Sequence, residues 1–301
     1  MILKTYYPYP SFPPVSVSGG ECRLKCRHCN SIYLKGMTRA ETPEKLIKVC
    51  KKLDENDAVG VLLSGGYNED GGLLNLERML PAIKKIKKKT KLIINIHPGF
   101  VDKKTACNLD VDFASLEIPS NFMIKNVFRL NKTTNDYVET YYNLKNAGID
   151  VVPHVCVYSG DEHKLLENIE KLSAIVVIVF TPTKNTPMQN EKTPAPERVG
   201  NAIKNIKKMF PETEISLGCM RPRNGRIRED IEIEALKSGA SRIELPSKKT
   251  IEYAKQHGYE IKRFDACCAL PKRFEERALV NSATKGFSVK FHEEVHVAEF
   301  S

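Results

Sequence analysis

Residues 15–29 read VSVSGGECRLKCRHC, a short β-prone run (15–20) leading straight into a loop that carries Cys22, Cys26 and Cys29. The spacing C-x3-C-x2-C offers three thiolates within eight residues. A cubane [4Fe–4S] cluster has four irons, so three cysteines would leave one iron open to a small molecule. A zinc knuckle is the alternative. Zinc prefers four ligands, usually as two separated pairs, and no second pair of matching spacing lies nearby. His28 would have to serve as the fourth ligand, and it adjoins Cys29, which strains a tetrahedral site.

The same strand-then-loop unit repeats along the chain. Strand-like runs at 58–64, 91–96, 111–118, 149–157, 173–180, 214–219 and 241–245 alternate with helical periodicity at 43–56, 76–89, 134–147, 162–172, 196–209, 228–238 and 247–258. Eight strand-like runs in about 245 residues, seven of them followed by a helical run, predict an α/β fold, a (β/α)8 TIM-type barrel. The β-runs are apolar along their length, as strands covered on both faces should be. No Pro- or Gly-rich linker divides the chain. One barrel domain is therefore expected over residues 1–260, followed by a short C-terminal extension, 261–301, that carries Cys267 and Cys268 and ends in the strand-like FSVKFHEEVHVAEF. In such a barrel the cysteine loop lies at the C-terminal mouth, where barrel enzymes do their chemistry.

The bulk numbers bound the function. A hydrophobic fraction of 41% with 28% charged residues is that of a soluble globular chain. Prolines 8, 10, 13 and 14 break the first 18 residues, so no secretory signal is expected. The longest apolar run, 174–180, is too short to span a bilayer. Nine cysteines without an export signal point to a reducing cytoplasm, where thiols serve metals or catalysis. The formal charge of +10 raises the question of nucleic acid. The lysines, however, sit in helical runs such as PAIKKIKKK (81–89), without aromatic residues for base stacking. A solvated helix face is the expectation there, and docking of an acidic carrier protein is another use for the charge.

With that spacing and its place after the first strand, the loop resembles the signature of the radical S-adenosylmethionine (SAM) superfamily. The resemblance implies that Cys22, Cys26 and Cys29 hold a [4Fe–4S] cluster whose open iron binds S-adenosylmethionine. It further implies reductive cleavage of that cofactor to a 5′-deoxyadenosyl radical. His28 fills the place of the aromatic residue that contacts adenine in the family. Ser64, Gly65 and Gly66 are similar to the family's glycine pair, whose backbone binds the methionine amino group, although Tyr67 stands where an acidic residue is common. Ser115 and Glu117 differ by two and so share a strand face. Glu117, near the strand end, is a candidate for holding ribose hydroxyls, against the plainer reading of an exposed glutamate. His154 is a candidate for nucleoside or substrate contact, against that of a satisfied core histidine. The turn 158–162 resembles the family's turn beside adenine.

A second set of thiols stands apart. Cys219 follows the seventh expected strand in LGCMRPR (217–223), and Cys267 and Cys268 are adjacent in DACCA (265–269). Neighbouring cysteines rarely bridge each other, because the disulfide is strained. Metal ligation by Cys219, Cys267 and Cys268 is expected, as a possible second iron–sulfur cluster with Arg221 nearby. Single buried thiols are the expectation for Cys50, Cys107 and Cys156. The strand order and the arginine of strand seven resemble biotin synthase. The CRLKCRHC loop, CMRP and the late CC are closer to the two-protein lipoyl synthases of archaea. That likeness implies sulfur insertion into a protein-bound octanoyl chain on an acidic carrier, a partner lipoyl synthase subunit, and an electron donor such as ferredoxin. Other radical reactions (biotin synthase-like, methylation, rearrangement) and a non-catalytic zinc protein remain as alternatives.

Overall fold

The computed structural model describes residues 1–280 apart from Ser159, Asp161 and Lys171. The strand-like stretch 287–300 and part of the turn 158–162 lie outside the described residues. Among the described residues, eleven strands form one sheet. They are β1 (Ile2–Tyr6), β2 (Pro14–Ser16), β3 (Thr38–Arg39), β4 (Gly60–Ser64), β5 (Ile93–Ile96), β6 (Phe113–Glu117), β7 (Asp150–Val157), β8 (Ala174–Val179), β9 (Glu214–Leu217), β10 (Arg242–Glu244) and β11 (Glu260–Phe264). The order is β11-β1-β10-β9-β8-β7-β6-β5-β4-β2-β3, and every pairing is parallel.

The eight strands expected from the sequence are β2 and β4 through β10, and they neighbour one another in chain order. Closure is where the structure departs from the (β/α)8 expectation. β10 does not return to β2: β1 takes its free edge, with Lys4 opposite Arg242, and β11 adds beyond β1. The ends of the sheet are β11 and β3, so the architecture is an open, partial barrel of parallel strands. The boundary expected at residue 260 falls inside β11, which pairs with β1 along its whole length.

The sheet nevertheless curls. Tyr6 of β1 and Phe264 of β11 share a buried cluster with Ile93 of β5 and Phe113 of β6. In a flat sheet β1 and β5, six strands apart, would be separated by about 29 Å. Residues 266–270 and Ala278 join this cluster and fill the interior at the strands' N-terminal end. A buried charge network fixes the same end. Lys4 bridges Glu214 at 2.6 Å and Glu275 at 2.8 Å, and Arg242, fully buried, bonds Glu214 and Glu275 as well as the Leu270 carbonyl.

Helices cover the outside. α1 (Pro43–Glu55) starts with Pro43 at its first turn, and Thr42 Oγ1 accepts from Lys45 N at 3.3 Å. α2 (Leu76–Lys89) buries Leu76, Met79, Ala82, Ile83 and Ile86, the spacing of one helical face, and leaves lysines to solvent. α3 (Lys103–Cys107), α4 (Thr134–Asn146), α5 (Pro196–Met209), α6 (Gly225–Lys237), α7 (Lys248–Gln256) and α8 (Glu275–Ala278) follow. The helix expected over 162–172 is instead a single 3₁₀ stretch, Glu162–Leu166. Glu162 is turned back to accept from the backbone N–H groups of Tyr158 and Gly160, both at 2.8 Å. None of the described helices is long and apolar enough to cross a membrane.

Along each strand, alternate residues divide between the two faces. Ile94, Ile96, Ala114, Leu116, Val155 and Val177 pack outward against the helices. Their neighbours Asn95, His97, Ser115, Glu117 and His154 therefore point inward. The strands do not read as uniformly apolar once this is seen: the inner face is apolar at the base and polar toward the mouth.

Candidate active site

The cysteine loop is seated by the end of β4. Ser18 Oγ accepts from Gly66 N at 2.7 Å and donates to the Glu21 carbonyl at 2.8 Å. A Cβ on residue 66 would lie 2.0 Å from the Glu21 oxygen and 2.5 Å from Cys22 Cα, so only glycine lets the loop rest there. Both polar groups of Gly66 are in use, since its carbonyl accepts from Leu74 N at 3.0 Å. Gly66 thus seats the cysteine loop, and its carbonyl keeps a second lone pair.

Among the described residues, one set of three metal-capable side chains has its ligand atoms all within 4.8 Å of one another: Cys26, His28 and Cys29. Two hydrogen bonds from Cys29 N and Asn30 N to the Cys26 carbonyl wind the loop tightly enough to gather them. Cys22 stands just outside this group, its Sγ accepting from Tyr67 N at 3.4 Å. Burial and polarity are set for an ionised pair. A hydrogen bond from Cys26, opposed by burial and helped by His28, holds the Cys29 thiol down at about 4. The same hydrogen bond and burial push Cys26 far up. His28 is raised despite its burial, because the Cys29 sulfur lies beside it. Its Nδ1 is buried with no hydrogen-bond partner, and its ring is tilted against Phe128 at 5.6 Å. An orphaned ring nitrogen beside clustered sulfurs is a donor set that fits a thiophilic metal centre.

Glu117 faces this group from β6. Burial pushes its carboxyl up to about 7, with His28 pulling it down and Cys29 adding to the rise. His154 is in register with Glu117 on the next strand, and its ring meets that of His97 edge-on at 5.2 Å. Burial holds His154 at about 4 and His97 at about 3, so both rings are neutral at physiological pH. His154 Nδ1 lies 3.1 Å from the Val152 carbonyl, which leaves Nε2 as the acceptor if Nδ1 carries the proton. Ser115 sits deeper and is engaged with the Asn95 amide at 3.0 and 3.2 Å. It does not reach the mouth beside Glu117.

The second thiol set is less compact. Cys267 and Cys268 lie side by side within the base of the interior, where Asn95 Nδ2 approaches Cys267 Sγ at 3.9 Å. Cys219 is at the top of β9, reached by solvent yet deep among protein atoms, and this pushes its thiol up to about 12. The charge of Cys268 is felt there, but Cys219, Cys267 and Cys268 do not close into a set within 4.8 Å as Cys26, His28 and Cys29 do. Arg221 corrects the sequence expectation. Its guanidinium is fully buried, paired to Glu232 at 2.7 Å and Glu244 at 3.5 Å, and bonded to the Gly218 and Glu244 carbonyls. Its two terminal nitrogens are committed to holding the loop after β9, while its Nε is buried without a hydrogen-bond partner.

Three residues at the site were not singled out in the sequence: the inward-facing Asn95 and His97, and Tyr33 on the exposed side of the cysteine loop. The first two had a signal, polar residues two apart in an otherwise apolar run, IINIH. Tyr33 had none. Its Oη is 2.6 Å from Thr183 Oγ1, which joins the cysteine loop to the loop after β8, and the charges of Cys29, Cys156 and Cys219 all reach this phenol.

No family model matches the chain, and no curated protein matches it. Solved structures do. Methylornithine synthase (PylB) aligns with a TM-score of 0.56 at 16% identity, over 82% of this chain and 73% of that one. HydG, a maturase of the [FeFe]-hydrogenase, aligns at 0.61 and 15% identity, over 96% and 69%. Streptococcus suis SuiB, solved bound to S-adenosylmethionine, aligns at 0.52 and 12% identity, over 85% and 58%. At these identities the likeness is one of fold.

Proposed function

We propose that this chain is a radical SAM enzyme. The observation that carries the reading is the gathering of Cys26, His28 and Cys29, with Cys22 alongside, at the C-terminal mouth of a parallel partial barrel. The shared fold with PylB, HydG and SuiB supports it. Cys22, Cys26 and Cys29 would hold a [4Fe–4S] cluster, and Glu117 and the loop end at Ser64–Gly65 would border the cofactor. When bound, the cluster and S-adenosylmethionine supply a reductively formed 5′-deoxyadenosyl radical. The protein's own part is to exclude water and fix the reacting carbon. The neutral His97–His154 pair lines the interior without adding a charge to it.

The finer reading is sulfur insertion into a protein-bound octanoyl chain, with Cys219, Cys267 and Cys268 as ligands of a second iron–sulfur cluster. It is supported by thiols at the top of β9 and in the interior, across the barrel from the first set. An acidic octanoyl carrier, a partner subunit and an electron donor go with this reading. Anaerobic reconstitution with iron, sulfide, dithionite, S-adenosylmethionine and an octanoylated peptide tests both levels. Deoxyadenosine with about eight irons per chain and a mass gain of sulfur supports the finer reading. Deoxyadenosine with about four irons and no sulfurated product leaves only the coarser one. The orphaned His28 Nδ1 within the thiol set favours one second reading, a closed zinc site. A colourless protein that carries zinc and does not cleave S-adenosylmethionine would select it.

A further inference from the structure

We propose that His97 binds the substrate: its ring donates a hydrogen bond to the carbonyl of an uncharged acyl amide, and His154 is the positioning residue that fixes that ring. The inference rests on the octanoyl reading above and adds which way the acyl chain lies in the barrel. His97 closes the inner face of β5, two residues beyond Asn95. Its backbone is occupied, with N donating to the Leu63 carbonyl at 2.9 Å and its own carbonyl accepting from the Tyr67 hydroxyl at 3.4 Å. Its ring is not. Among the described residues no group hydrogen-bonds either ring nitrogen, and the residue is only half-buried. Burial and the neighbouring His154 hold the ring at about 3, so it is neutral, with one N–H to donate. Polar neighbours on this wall are already engaged. Asn95 and Ser115 bond each other at 3.0 and 3.2 Å, and His154 turns Nδ1 to the Val152 carbonyl at 3.1 Å. Held in that way, His154 meets His97 edge-on at 5.2 Å and limits how its ring can turn.

The chemistry of the wall selects the ligand. From β5 to β9, the inward residues that stay partly uncovered run in an arc around the mouth: His97, Glu117, Cys156 and Ile178, then Cys219 past the end of β9. Among the described residues this arc holds no lysine or arginine. A substrate carboxylate would enter it with no cation to meet and the Glu117 carboxyl alongside. An uncharged carbonyl needs only the one donor that His97 has spare. The arc also changes character along its length. Ile178 packs, with Val176 below it, on the same apolar cluster as Ile93 and Phe113. An octanoyl amide has the same grading, polar at the carbonyl and apolar beyond it. With the carbonyl on His97, the alkyl chain crosses Ile178 and its far end faces Cys219. The hydrogen bond thus sets which carbons lie near the thiols and takes part in no covalent step.

The test is a cycle with two peptides that differ in one side chain, either N6-octanoyl-lysine or an all-carbon alkyl side chain of the same length. Their Kd values are measured on the reconstituted chain with S-adenosylmethionine and no reductant, for wild type, His97→Phe, His97→Gln and His154→Phe. In His97→Phe the ratio of the two Kd values should shift by about fivefold to tenfold against the octanoyl peptide. His97→Gln, which keeps a donor, should return to within about twofold of the wild-type ratio, with His154→Phe in between. Affinity for S-adenosylmethionine should stay within about twofold in every protein. Wild type alone supplies a second measurement. The infrared stretch of a 13C-labelled octanoyl carbonyl should stay at or below its frequency in water on binding, and a rise marks a carbonyl without a donor. That rise, or an unchanged ratio in His97→Phe, overturns the proposal, and an unchanged ratio in His154→Phe removes its positioning role. Binding of S-adenosylmethionine weakened as much as that of the octanoyl peptide also overturns it, since His97 would then serve the cofactor. If wild type binds S-adenosylmethionine but neither peptide, the octanoyl reading fails and the proposal falls with it.

Discussion

The two thiol sets of this protein are built in opposite ways. Cys22, Cys26 and Cys29 come from one loop of eight residues, seated on Gly66 and wound by two bonds to a single carbonyl. Cys219, Cys267 and Cys268 come from the top of one strand and a segment that fills the barrel base, some fifty residues later in the chain. A loop can gather its donors with local hydrogen bonds. Donors from distant segments are placed only as accurately as the fold between them. The first set is accordingly compact and carries an ionised sulfur, while the second is spread and burial raises the thiols of Cys219 and Cys268.

The largest effect should come from the compact set. Cys26→Ala or Cys29→Ala removes a donor from the gathered group and should abolish deoxyadenosine formation to below detection, with loss of iron from that site. A variant that still cleaves S-adenosylmethionine at the wild-type rate would remove the basis of the functional reading.

The next effect concerns what places Cys219. Arg221 ties the loop after β9 to β10 and α6, and its removal leaves the buried Glu232 with Arg228 as its remaining cation, beside the Ser247 N–H and the Thr250 hydroxyl. Arg221→Ala should destabilise the protein by about 3–5 kcal/mol in urea unfolding, the cost of breaking a buried pair from one side. A change under about 1 kcal/mol would mean that Arg228 and the backbone suffice to hold the loop. Cys268→Ala is a smaller, local change. It should lower the iron of the reconstituted protein from about eight to about four per chain and stop sulfur transfer while deoxyadenosine continues. Unchanged iron would show that the two sets do not form two clusters.

The difference between the sets also explains how far the sequence could be read. The C-x3-C-x2-C spacing is local, so it pointed to the compact site directly. The eight central strands were found because each is an apolar run followed by a turn. β1 was not, because Ile2–Tyr6 is short and a proline-rich stretch follows it, and its strand character comes from the free edge of β10. Arg221 looked like a ligand-binding arginine because its partners, Glu232 and Glu244, lie 11 and 23 residues away in sequence. Ser115 shares a face with Glu117 but bonds the Asn95 amide, a pairing that strand periodicity does not reveal because it gives direction and not height.

Glu117 provides the smallest and most discriminating measurement, because it faces the compact set without belonging to it. Burial raises its carboxyl from 4.5 to about 7 in the folded chain. Between those values the folded state holds a proton that the unfolded state releases, so stability falls as pH rises from about 4.5 to about 7 and is level above. Glu117→Gln has no such group and should lack that part of the slope. The difference in urea midpoint between variant and wild type should therefore move in favour of the variant from pH 5 to pH 8. Cys26 and His28 feel the Glu117 charge, so the difference reports the carboxyl together with its coupling to them. Parallel curves would mean that solvent at the barrel mouth already hydrates Glu117, and the site would then be wetter than a radical reaction requires.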